Sequence, residues 1–140
     1  MKRNALGALM TLIVALTIAA PTVHAQTILT ANVPFAFTVG QNQLPAGSYA
    51  VKEVGDRATL IQSKDGNERV LGIYQYAGPA KPHETKLVFN KIGDHYFLCQ
   101  IWTSVRGQGL QVPPSNLEKE MQTASTGTTG GVETVIVALR

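Results

Sequence analysis

A single cysteine, Cys99, stands in the 140-residue chain, so no disulfide can close within it. A cystine-stapled miniprotein is excluded, and stability has to come from a packed core, which a chain of this length can supply without disulfides. Charge is sparse too, at 15% of residues, and no run of like sign occurs beyond the Lys2-Arg3 pair. That excludes the basic stripe a nucleic-acid binder presents. No internal repeat is visible, so a solenoid array is excluded. The serines fall in no Gly-x-Ser-x-Gly or Ser-x-x-Lys setting, so acyl-transfer chemistry has no signature.

The one long apolar run is short for a membrane span. Ala5 to Ala20 is apolar except for Gly7, Thr11 and Thr17, and Pro21 ends it. A spanning helix needs about 20 such residues. Lys2 and Arg3 precede the run, and Val23-His24-Ala25 follows it with residues a signal peptidase accepts. Cations, apolar segment and small-residue site in that order predict a secretory leader cleaved after Ala25. No twin arginine is present, which favours the general secretory route. No cysteine lies near the cleavage site, which argues against a lipid anchor. Residues 1–25 are therefore expected to be removed, leaving a 26–140 domain in the periplasm or outside the cell, with no transmembrane anchor. The whole chain has a formal charge of +3. Lys2 and Arg3 supply two of its twelve cations, so ten cations and nine acids remain in the domain.

Within residues 26–140 the dominant pattern is alternation at the strand period, interrupted by turn residues. Val33, Phe35, Phe37 and Val39 share one face of a first strand, which Pro34 marks as an edge or a late start to pairing. Ser48 to Val54 forms a second, with Tyr49 and Val51 on one face. Arg57–Ser63 and Glu68–Tyr76 flank Lys64-Asp65-Gly66-Asn67, whose Asp-Gly favours a hairpin turn. Thr85–Ile92 and His95–Thr103 flank Gly93-Asp94 as a second hairpin. In the latter strand Phe97, Cys99 and Ile101 are expected on one face, and the apolar content of both faces suggests a central strand covered on both sides. Ser115 with Glu118 three residues on reads as a capping box opening a short helix, with Leu117 and Met121 on one face. Residues 124–131 read as a flexible linker and 132–139 as a closing strand. The sum predicts an all-β fold: a small antiparallel β-sandwich or barrel with one short helix near the C-terminus.

Residues with chemistry are few. His83-Glu84 begins like a zinc-protease motif, but Leu87 stands where the second histidine belongs. His83 and His95, with Asp94 or Glu84, could hold a metal only if they met across a hairpin, and the spacing of a known zinc site is missing. No cofactor is implied. Cys99 is expected to be an inert buried thiol. Arg106-Gly107-Gln108-Gly109 lacks the third glycine of a dinucleotide loop and reads as a connector. Tyr74, Tyr76, Tyr96 and Trp102 could line a ligand platform, although strands favour aromatics in cores regardless of function.

Three stretches carry a resemblance. Val33-Pro34-Phe35-Ala36-Phe37-Thr38-Val39-Gly40 with Leu44-Pro45-Ala46-Gly47-Ser48-Tyr49 is the first. Leu87-Val88-Phe89 through Tyr96-Phe97-Leu98 to Ile101-Trp102 is the second, and Pro114-Ser115-Asn116-Leu117-Glu118-Lys119-Glu120 the third. Together they resemble a family of small exported β-rich bacterial proteins with no assigned activity. The resemblance implies export and a β-rich domain, and carries over no catalytic or binding residue. The functional expectation is a non-enzymatic exported β-domain that binds an envelope component or a small ligand. The alternative is a small exported metal-dependent hydrolase using His83 and His95. A further expectation is self-association by strand addition through residues 132–139.

Overall fold

The computed structural model of the protein describes residues 27–81, 83–104, 107–127 and 130–140. The leader expected over 1–25 lies outside the described residues, as do Arg106 and part of the expected linker. Among the described residues, eleven strands and one helix follow in chain order: β1 (Ile28–Val33), β2 (Phe37–Val39), β3 (Asn42–Leu44), β4 (Gly47–Glu53), β5 (Ala58–Ser63), β6 (Arg69–Ile73), β7 (Gln75–Pro79), β8 (Lys86–Ile92), β9 (His95–Thr103), β10 (Gln108–Gln111), α1 (Asn116–Ser125) and β11 (Glu133–Ala138).

The strands form two sheets. The first runs β1-β4-β5-β6, all antiparallel. The second runs β11-β8-β9-β10-β7, with β2 attached to β9 at Thr38–Phe97 and β3 paired to β2. One buried cluster draws on both sheets: Val51, Ile61 and Val70 from the first meet Leu87, Phe89, Leu98 and Ile101 from the second. This is an all-β sandwich with one short helix. Aromatic edges organise its centre. Phe37 packs edge-on against Tyr49 at 5.2 Å and against Phe89 at 5.4 Å, while Phe35 stacks on Tyr96 at 3.8 Å. Each such pair adds about 0.5–1.5 kcal/mol beyond the area it buries.

Several local expectations change once the sheets assemble. The strand expected from Val33 to Val39 is split by Pro34, whose missing amide cannot extend a ladder, yet Val33, Phe37 and Val39 all enter the core. The run Glu68–Tyr76 is two strands, β6 in the first sheet and β7 in the second, with the break at Tyr74. Gln108 and Gly109, read as part of a connector, instead open β10, which lies between β9 and β7. The shared face of Phe97, Cys99 and Ile101 is also corrected. Val88 pairs with Gln100 and Phe89 with Leu98, leaving Cys99 as the extra residue of a β-bulge. The bulge reverses the alternation, so Leu98 and Ile101 join the main core while Phe97 is buried outside it.

The helix starts where expected: Ser115 Oγ accepts the Glu118 amide at 3.0 Å. Its buried face differs from expectation. Leu117 is exposed, and Glu118 is buried, its carboxylate accepting from Asn90 Nδ2 on β8 at 2.9 Å and from Gln122 Nε2 at 3.3 Å. The helix continues through Ser125, two residues into the stretch expected as linker. The closing strand spans Glu133–Ala138 and pairs along its length with β8 of the same chain.

Candidate binding groove

The outer face of the first sheet is floored by small side chains where β1 meets β4. Thr30 pairs with Ala50 and Asn32 with Ser48, while their neighbours Ala31, Tyr49 and Val51 point into the core. Alternation at period two forces this division. The C-terminal end of β11 supplies a wall. Thr30 N donates to Arg140 O at 2.7 Å, and Arg140 N donates to Thr30 O at 2.9 Å. This reciprocal pair joins the two sheets across 110 residues of sequence. Beside it opens a cleft of about 550 Å³ lined by Thr30, Asn32, Ser48, Ala50, Lys64, Ala138 and Arg140, with Ala31, Tyr49 and Val137 also reaching it.

A smaller hollow of about 210 Å³ shares Ser48, Tyr49 and Lys64 with the cleft and continues to Asp65 and Glu68. The two form one groove, with Arg140 at one end, Lys64 at the middle and two carboxylates at the other end. Its walls are held by short bonds. Lys64 N donates to Ser48 O at 2.9 Å, which ties the β5–β6 turn to the floor. Within the turn, Asp65 accepts from the Ser63 hydroxyl and from Asn67 N at 3.2 Å. Those bonds stabilise the carboxylate and hold its pKa below the ordinary value. Under the floor, Tyr49 OH donates to Pro45 O at 2.6 Å and fixes the Pro45-Ala46-Gly47 turn. Burial pushes the Tyr49 phenol upward, so it stays neutral and structural.

The residues singled out from sequence do not converge on this groove. His83 is exposed in the loop before β8, in a left-handed conformation with φ 64°. His95 opens β9 and pairs with Ile92 at the other end of β8. The seven-residue strand between them spans roughly 20 Å at 3.3 Å per residue. They therefore cannot share one metal ion. Glu84 is engaged elsewhere, accepting from Lys86 Nζ at 2.6 Å and Lys81 N at 3.0 Å, and Asp94 lies in the exposed β8–β9 turn. Among the described residues, no group of three or more His, Cys, Asp or Glu is placed to hold a metal.

Nor do Tyr74, Tyr76 and Trp102 share a platform, and the fourth aromatic, Tyr96, is stacked on Phe35. Tyr74 is buried with its ring over Gly72. Trp102 lies flat over Gly109, its indole Nε1 donating to Gln100 Oε1 at 2.9 Å. Tyr76 is exposed and pairs with Leu110, the residue after Gly109, so it belongs to the opposite face of β10 from Trp102. Cys99 Sγ donates to Val88 O at 3.2 Å, and burial pushes its thiol up to about 11. A thiol so shifted is a poor nucleophile near neutral pH.

No family model, no curated protein and no solved structure matches the chain. Among the described residues, no helix is long and apolar enough to cross a membrane. The groove's own residues gave no signal in the sequence. Thr30, Asn32, Ser48 and Ala50 are unremarkable strand residues, and only pairing between distant segments brings them together.

Proposed function

We propose that the protein is an exported, non-enzymatic binding module that takes a polar envelope component or small ligand in the groove between β1, β4 and β11. The groove itself carries this reading. It is concave, floored by small side chains that leave room for an occupant, and rimmed by charged groups that can fix orientation. The order of those groups favours a ligand with an anionic group towards Arg140 and Lys64 and a cationic group towards Asp65 and Glu68. Export is supported by the leader pattern of residues 1–25 and by the resemblance to small exported β-rich proteins.

The test uses residues 26–140 equilibrated with fractions of an envelope extract and read by native mass spectrometry. A bound species is expected on the wild-type domain and is lost in Ala50→Trp, which fills the floor from the solvent side. A wild-type spectrum without adducts, or equal adducts on both proteins, contradicts the reading.

A further inference from the structure

The first sheet ends at β6, and the backbone of that strand faces two ways. Tyr74 N donates to Arg57 O at 2.8 Å and Ser63 N to Glu68 O at 2.9 Å. Antiparallel ladders alternate, so Glu68, Val70, Gly72 and Tyr74 turn their amides and carbonyls towards β5. Arg69, Leu71 and Ile73 consequently turn theirs outwards, to the open edge. On the same strand, Leu71 is 63% and Ile73 80% exposed, and both side chains project from the outer face of the sheet. A cleft of about 240 Å³, lined in part by Val39, Val112 and Pro113, borders this strand.

Other strand edges in the molecule carry protection. β7 includes Pro79 and a register shift against β10. β11 is tied to β1 at its end, and β3 is three residues long. Proline, bulges, shortness and covered ends are the devices that keep sheet edges from pairing with other molecules. β6 has none of them, and it joins unpaired backbone to the two most exposed large apolar side chains among the described residues.

We propose that β6 is a homodimer edge, at which two copies pair antiparallel through Arg69–Ile73 and extend the first sheet from four strands to eight. The charge pattern favours a second copy of this chain. An antiparallel pair with Gly72 on the two-fold axis sets Leu71 of each copy opposite Ile73 of the other. Arg69, the only charge on the strand, then falls at the two outer ends, so like charges stay apart. Ten cations against nine acids over residues 26–140 leave almost no net repulsion between copies. The outer rows already pair Leu60 with Leu71 and Ala58 with Ile73, so the junction continues an apolar surface across both subunits. An interface built on one strand pair belongs to the transient class below about 1,200 Å², so the dimer forms reversibly with concentration.

Sedimentation equilibrium of residues 26–140, from about 10 µM to about 1 mM to span that transient class, tests the proposal. The wild-type mass is expected to rise from monomer towards dimer across the series. Leu71→Lys/Ile73→Lys is expected to remain monomeric with an unchanged circular dichroism spectrum, because both side chains face solvent. Ile136→Lys, on exposed β11, is expected to dimerise like the wild type. A wild-type protein that stays monomeric throughout overturns the proposal. So does a double variant that still dimerises, or an Ile136→Lys protein that does not.

Discussion

The Tyr74 hydroxyl and Thr59 Oγ1 are buried without a hydrogen-bond partner among the described residues. They belong to one patch, because Thr59 pairs with Gly72 and the Tyr74 ring covers Gly72. An orphaned buried hydroxyl costs about 1–3 kcal/mol. Tyr74→Phe keeps the ring and removes the orphan, so it is expected to raise stability by about 1 kcal/mol in denaturant titration. Burial also pushes the Tyr74 phenol up to about 12. In the unfolded chain it ionises at about 10. The phenol is an acid whose folded pKa is raised, so its contribution to stability is intact below pH 10. It is lost as pH rises through 12, since the unfolded state releases the proton first. The alkaline fall in stability over that window is expected to be shallower in Tyr74→Phe than in the wild type.

At the scale of elements, Trp102 and Gly109 form a tightly constrained pair. They face each other across β9 and β10, and a Cβ on Gly109 would approach the indole to 2.6 Å. Gly109→Ala is therefore expected to cost about 1–3 kcal/mol by overpacking. The same change made in a Trp102→Ala background should cost much less, and a double-mutant cycle by chemical denaturation reads the difference. Equal costs in both backgrounds would contradict the contact. This pair also explains what the sequence left hidden. The turns at 64–67 and 93–94 were legible because Asp-Gly and Gly-Asp encode backbone geometry locally. β10 was not, because Gly109 reads as loop until Trp102 is known to lie over it. The Cys99 bulge was equally hidden, since alternation assigns faces only while register is unbroken. In α1, Ser115 signalled the cap, but its apolar pattern could not show that Asn90, far along the chain, draws Glu118 into the interface.

On the scale of the whole molecule, the fold class was legible and the candidate site was not. Strand-period alternation with short turns is a property of neighbouring residues, and it predicted an all-β antiparallel sandwich or barrel. The groove depends on Thr30 meeting Arg140 and on β1 pairing with β4, contacts that no local pattern encodes. Charge shows the same division. The net +3 of the chain suggested a mildly basic protein, whereas residues 26–140 are nearly balanced, with Arg140, Lys64, Asp65 and Glu68 placed along the groove. The claim that this groove binds a ligand is tested most directly by amide chemical shifts of ¹⁵N-labelled residues 26–140 during titration with envelope extract. Concentration-dependent shifts are expected to cluster at Thr30, Asn32, Ser48, Ala50 and Lys64, leaving His83 and His95 unmoved. Shifts centred on the histidines, or none above those of a buffer control, would contradict it.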